Sequence, residues 1–132
     1  MNMSEKITKG KTASVNTIVD NQNTAKFVGS GNLEVFATPM MIALMEKAAC
    51  ECLADVLEAN ESSVGTHIDV LHIAASPIGA KITATATVEA VTGRSIEFSV
   101  TASDGTKEIG RGRHTRFIVD AERFMAKLTK GA

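Results

Sequence analysis

The sequence has no tryptophan and no tyrosine, and only five phenylalanines in 132 residues. Proteins that bind single-stranded nucleic acid stack bases on exposed aromatics, so this scarcity argues against such a partner. An excess of one charge is missing too. Fourteen basic and fifteen acidic side chains leave a net charge of −1, and no bulk field draws the chain to nucleic acid or to a membrane surface. Long apolar runs are absent. The strongest, Pro39 to Met45, is far shorter than the roughly 20 residues a bilayer-spanning helix needs. The polar residues after Met1, Asn2 and Met3 lack the apolar centre of a secretory leader, which makes the cytoplasm the expected location. Cys50 and Cys52 stand two apart in a helical-looking segment. Such positions point in different directions and cannot easily bridge or share a metal. They read as small buried hydrophobes of a reducing compartment. The histidines, His67, His72 and His114, lack metal-pair spacing. No phosphate-cradling glycine loop precedes a helix, and there is no G-x-S-x-G elbow. Neither a metal nor a cofactor is expected.

What is present is a globular composition, 44% hydrophobic and 22% charged, in a length that suits one domain over residues 1–132. Residues 1–12 read as ragged or as an early edge strand. Ala13 to Val19 reads as a first strand, and Thr24 to Val28 as a resumption of strand or a loop. Thr38-Pro39 is a helix start, with Thr38 as N-cap and Pro39 in the first turn. The helix should run to about Glu58. Lys47, Glu51, Asp55 and Glu58 form its one solvated stripe. A helix otherwise so apolar needs wrapping, most simply by a curved sheet. Strands follow over Gly65 to Ala75, Lys81 to Val91, Arg94 to Ser103 and Lys107 to Val119. Ile82, Ala84, Ala86, Val88 and Ala90 point inward on the second of these, and Ile96, Phe98, Val100 and Ala102 on the third. Thr92-Gly93 and Asp104-Gly105 mark hairpins. Gly110 and Gly112 allow a bend or a close approach. A short helix closes the chain over Ala121 to Lys130. Strand, long helix, then four strands in a meander is an α+β arrangement of the hotdog type, a long central helix wrapped by a curved antiparallel sheet.

Few residues break this pattern in ways that suggest chemistry. Glu46 lies on a stripe with Ile42, Cys50, Leu53 and Leu57. Burial there would disfavour its charged form and make it a candidate base or hydrogen-bond anchor; the plainer reading is a carboxylate that reaches the helix edge or pairs with a buried donor. His72 shares strand parity with Ile68, Val70 and Ala74, which places an imidazole on the inward face. Alone, it reads as a core histidine satisfied by a backbone carbonyl; with Glu46, a carboxylate–histidine pair is in view. Thr38 is a plain cap or a reacting hydroxyl at a helix start, whose N–H groups stabilise developing negative charge. Gly65 is a turn glycine, or a bare backbone that lets a carbonyl oxygen approach. Lys107, Arg111, Arg113 and Arg116 make a basic edge on the last strand. That edge reads first as a solvated face, and second as a contact for CoA-like phosphates.

Val35-Phe36-Ala37-Thr38-Pro39, Glu46 eight residues after Thr38, Gly65-Thr66-His67-Ile68 and His72-Ile73-Ala74-Ala75-Ser76-Pro77 together resemble the fluoroacetyl-CoA thioesterase-like branch of the hotdog superfamily. The resemblance continues through Asp104-Gly105, Glu108-Ile109-Gly110, Gly112 and His114, and spans about residues 33 to 128. It implies a homodimeric hydrolase of acyl-CoA thioesters with sites at the subunit interface. It implies Thr38, Glu46 and His72 as the catalytic residues, with Gly65 polarising the thioester carbonyl. Phe36, in the motif, and Met41, at the helix start, are taken with Gly65 as substrate-binding residues. The fluoroacetyl-selective type carries an aromatic-bearing lid before this motif. Here the segment reads Gly29-Ser30-Gly31-Asn32-Leu33-Glu34, without an aromatic, so thioester hydrolysis is expected without fluoroacetyl selectivity. Two other functions compete: a non-catalytic binder of acyl-CoA or another small apolar ligand, and an enoyl-CoA hydratase. Hydratases of this fold use an inward Asp–His pair, and Asp69 has the opposite parity to His72.

Overall fold

The computed structural model describes residues 3–130. Its elements are α1 (Met3–Lys6), β1 (Thr12–Ile18), α2 (Ala25–Val28), α3 (Thr38–Leu53), β2 (Glu61–His72), β3 (Lys81–Thr92), β4 (Ser95–Ser103), β5 (Glu108–Asp120) and α4 (Ala121–Thr129). The strands form one antiparallel sheet in the order β1-β3-β4-β5-β2. Only β3, β4 and β5 make a meander. The expected four-strand meander fails because β2 pairs with β5 at the far edge, which leaves its other side open.

The core lies between α3 and the concave face of the sheet. Met41, Leu44, Met45, Ala48, Ala49, Cys52 and Leu53 of α3 meet Ile82, Ala84, Ala86 and Val88 of β3, Ile96, Phe98, Val100 and Ala102 of β4, and Ile109 and Ile118 of β5. The alanines on β3 let the helix backbone come close. The inward alternation expected for β3 holds as far as Val88. A register shift between Val88 and Ala90 then turns Ala90 outward. A second shift, between Gly65 and His67, leaves Thr66 without a partner on β5 and makes a β-bulge in the edge strand. The hairpin turns sit where glycine permits positive φ, at Gly93 (62°) and Gly105 (93°).

Residues 3–7 are not an edge strand: Met3, in the short α1, and Ile7, just after it, are buried; residues 1 and 2 lie outside the described residues. Thr24 to Val28 forms a helical turn, because Thr24 accepts the Phe27 N–H and Gly29 closes it at φ 86°. The long helix ends at Leu53, one turn earlier than expected. Beyond it Asp55 and Glu58 accept from Lys11 and Lys6, outside regular helix. Cys52 is buried as expected, but Cys50 is exposed, and both are free thiols. Cys50 lies off the core face that Ala48, Ala49 and Cys52 share, so small size alone did not bury it.

Candidate active site

The α3 helix starts one residue before the reading of Thr38 as a cap would have it. Ala37 is the N-cap, without a side-chain cap bond, and Thr38 is already helical. The Thr38 hydroxyl is therefore free of capping duty. Its Oγ1 lies 2.7 Å from Nδ1 of His72, at the end of β2. Thr38 is exposed and His72 half-buried. The Nε2 of His72 is enclosed, with no well-formed hydrogen bond to another group among the described residues. A cavity of about 260 Å³ opens beside this pair, lined by Phe36, Thr38, His72, Ser30 and Val35 among others. Phe36 is itself buried and forms part of the wall. Met41 is wholly enclosed, next to Gly110, and does not line this cavity.

Glu46 belongs to a second cluster. It sits at the margin of the helix's buried face, and 40% of its side chain stays accessible. Of the stripe expected to be buried, Leu53 is buried, while Ile42, Glu46, Cys50 and Leu57 lie at the rim of that face or outside it. The Oε2 of Glu46 lies 3.6 Å from Nη1 of Arg116 and 3.9 Å from Nε2 of His114. Gly65 faces the same group: a Cβ there would fall 2.9 Å from Glu46 Oε2 and 3.2 Å from His114 Cε1. A cavity of about 190 Å³ is lined by Glu46, Gly65, Thr66, His67, Ile68 and His114. Within one chain, then, Thr38 meets His72 and Glu46 meets Gly65. Eight helical residues put Thr38 and Glu46 about 12 Å apart along α3.

Sequence reasoning did not place Arg116 or His114 in the second cluster. Arg116 was counted with Lys107, Arg111 and Arg113 as one basic edge. Lys107, Arg111 and Arg113 do form a solvated face, paired with Asp104, Glu108 and Glu97 at 3.5, 2.8 and 2.9 Å. Arg116 has the opposite parity and turns inward, where it is buried with His114 and Ile118. Strand periodicity held that signal. Asp69 is exposed and lines an outer-face groove with Leu71, Ser99 and Arg113, as its parity requires. Among the described residues no cluster of three or more metal-ligating side chains occurs, and no helix is long and apolar enough to cross a membrane.

Burial pushes the pKa of His72 below 6.5, opposed by a backbone group of Ala74. Burial also lowers that of His114, with the His67 carbonyl working the other way and Arg116 adding to the fall. Both rings fold as neutral groups. The unfolded chain takes up protons near pH 6.5 that the folded chain refuses, so stability is fully present above that value. It is lost as pH falls from 6.5 towards the depressed folded values. Calorimetry from pH 8 to 5 should show Tm flat at first and then declining below about pH 7. His72→Ala should make the decline shallower. A Tm that rises on acidification would contradict the placement of both rings.

Residues 19–122 match the family described as FlK, fluoroacetyl-CoA-specific thioesterase. The fluoroacetyl-CoA thioesterase of Streptantibioticus cattleyicolor is 46% identical over 95 residues, which are 72% of this chain and 68% of that protein. A solved structure of the fluoroacetyl-CoA thioesterase FlK is 36% identical and superposes with a TM-score of 0.89, covering 96% of this chain and 98% of that one. A hot-dog-like protein from Thermanaerovibrio acidaminovorans, 24% identical, superposes with a TM-score of 0.90 over 98% of this chain and 96% of its own. The fold is the hotdog fold.

Proposed function

Because the chain belongs to the family of fluoroacetyl-CoA-specific thioesterases, we infer that it hydrolyses a small acyl-CoA thioester to free CoA and a carboxylic acid. The observation that carries this reading in the molecule itself is the 2.7 Å contact between Thr38 Oγ1 and His72 Nδ1 beside an open cavity. A hydroxyl within hydrogen-bond reach of a neutral imidazole is an activated nucleophile, or a holder for an activated water. In this reading the Gly65 N–H polarises the thioester carbonyl. Thr38, or a water it orients, attacks the carbonyl carbon. His72 and Glu46 take the proton from the attacking oxygen and return one to the departing sulfur as the C–S bond breaks; where Thr38 itself attacks, a water then cleaves the acyl-threonine ester through the same groups, which releases the acid and restores the hydroxyl. Phe36 is assigned to the acyl end as cavity wall, and Met41, enclosed beside Gly110, the residue paired with His72, to support behind that histidine.

We place the working site between two copies of the chain. The open side of β2 is an unpaired strand edge, and Ile68, Leu71 and Ile73 near it are 39, 60 and 49% exposed. An edge of this kind pairs readily with another strand. Two β2 strands joined antiparallel, about a two-fold axis near Ile68 and Asp69, would set His72 of one copy beside Gly65 of the other. That arrangement would bring the Thr38–His72 cluster to the Glu46–Gly65 cluster, which a single chain keeps apart. Sedimentation at micromolar concentration should give twice the 13.9 kDa chain mass. A monomer that hydrolyses acyl-CoA at full rate would remove the interfacial site. The free thiols of Cys50 and Cys52 suit a reducing compartment, and we place the enzyme in the cytoplasm.

Release of free CoA from a panel of acyl-CoAs tests the activity and its selectivity together. The segment from Gly29 to Glu34 holds no aromatic. The α2 turn before it does carry Phe27, but this ring is 63% exposed and lines neither cavity. Fluoroacetyl-CoA should therefore show little advantage in kcat/KM over acetyl-, propionyl- or butyryl-CoA. A hundredfold preference for it, about 2.7 kcal/mol of differential transition-state binding, would show that the segment from Gly29 to Glu34 discriminates without an aromatic. No release from any member of the panel would return the chain to the class of binders.

A further inference from the structure

We propose that His114 is a positioning residue for the thioesterase reaction, which holds the Arg116 guanidinium against Glu46 and thereby sets the geometry of that carboxylate. The inference rests on Glu46 being an acid–base group of the reaction.

The hydrogen bonds around His114 leave it one state. Its ring is 1% exposed and stacks on Phe98, with centroids 6.4 Å apart. Nδ1 lies 2.8 Å from the carbonyl oxygen of His67. A carbonyl only accepts, so Nδ1 carries the proton. Nε2 lies 3.1 Å from Nη1 of Arg116. A guanidinium only donates, so Nε2 is bare. The ring is neutral and locked in one tautomer from both ends.

Arg116 is held at three different nitrogens. Nε donates to Ser63 Oγ at 2.8 Å and Nη2 to the Ser63 carbonyl at 3.0 Å. Both of these anchors grip one side of the guanidinium plane. The third, His114 Nε2, takes Nη1, the corner that faces Glu46 Oε2 at 3.6 Å. Without it the plane can pivot about Ser63, and the corner nearest the carboxylate loses its fixed place. The asymmetry in burial points the same way: the Arg116 side chain is 9% accessible and the Glu46 side chain 40%. The cation is the fixed member, and the carboxylate takes its position from it. A planar fork fixed on several acceptors loses little further freedom when it binds an anion.

Two near-isosteres of His114 separate its two bonds. The amide of His114→Asn reaches the place of Nδ1, so it keeps a donor for the His67 carbonyl but offers Arg116 nothing. The amide oxygen of His114→Gln reaches the place of Nε2 and still accepts from Arg116. With a panel acyl-CoA as substrate, His114→Asn should lower kcat at least about tenfold, the low side of what positioned acid–base groups contribute, with KM little changed. His114→Gln should recover most of that loss. In a Glu46→Gln background the Asn substitution should cost almost nothing more, because groups that act as a unit are not additive. Equal losses in the Asn and Gln variants, or a loss that multiplies with that of Glu46→Gln, would overturn the proposal. A Glu46→Gln variant that keeps full activity would instead overturn the assignment of Glu46. The tautomer is a check that needs no variant: ¹⁵N shifts of the unmodified protein should show His114 protonated at Nδ1 alone at pH 7. Protonation at Nε2 would overturn the proposal outright.

Discussion

His72→Ala is expected to lower kcat/KM for the best acyl-CoA by at least about a hundredfold, because a positioned proton-transfer group contributes roughly 10² to 10⁴. A hundredfold corresponds to about 2.7 kcal/mol of transition-state stabilisation. The loss should be of this size because His72 Nδ1 is the side-chain partner of the Thr38 hydroxyl, so removing the ring leaves an ordinary, weakly nucleophilic hydroxyl. Thr38→Ala should fall by a similar factor, and the double variant should be little worse than either single one. Glu46→Gln should cost at least tenfold, within the same general range for acid–base groups. Steady-state release of free CoA measures all four. The fold should survive in each, since Thr38 is exposed, His72 and Glu46 are half-buried, and none belongs to the hydrophobic core. Unchanged turnover in both His72→Ala and Glu46→Gln would leave these residues with structural roles only.

The largest effect on stability is expected from one methyl group on β5. A Cβ added to Gly112 would lie 2.0 Å from the Asp69 carbonyl oxygen and 2.6 Å from Val70 Cα. These are backbone atoms of the adjoining strand, at and next to Val70, the residue paired with Gly112, and cannot swing aside as a side-chain tip does. Gly112→Ala must therefore push β2 away from β5 in the middle of their ladder. We expect a loss of about 3 kcal/mol, the upper part of the range for overpacking, and a fall in Tm of about 10 °C. Turnover should suffer as well, because β2 carries both Gly65 and His72. Gly29→Ala is the control. It also replaces a glycine, at φ 86° but with open space around it, and only backbone strain of about 1 kcal/mol is at stake. Equal Tm values for the two variants would show that β2 and β5 approach less closely than described here.

Most of the architecture could be read from periodicity. β3 and β4 declare themselves through Ile82 to Val88 and Ile96 to Ala102 because one face is dry and the other wet. The two hairpins declare themselves through Gly93 and Gly105. The strand order could not be read in this way. Nothing local in Glu61 to His72 says that it pairs with β5 rather than β3; pairing is settled by tertiary contacts between distant segments. The helix cap misled because Thr38-Pro39 satisfies the local rule for a helix start, while the hydroxyl has a better partner 34 residues away. Glu46 was found by its place among apolar neighbours, and the family resemblance gave it a role, yet its burial was overestimated, since a stripe read from sequence does not say where the rim of the buried face falls. Arg116 was hidden by its company: three solvated cations, Lys107 just before the strand and Arg111 and Arg113 on it, drew it into their class, although it alone had the parity of His114 and Ile118.

The bulge at Thr66 governs how the two halves of β2 are phased. Side chains on a strand alternate, so residues an odd number apart face opposite ways. Gly65 and His72 are seven apart, and an unbroken strand would send one of them to the outer surface. Thr66 is skipped in the pairing with β5, so that Gly65 stands opposite Arg116 and His72 opposite Gly110, both on the side that faces α3. One residue left out of the ladder thus acts as a half-turn between the strand's two ends. The identity of that residue matters little to this function, but its presence is decisive: a chain one residue shorter at this point would keep every other side chain and turn one half of the site inside out.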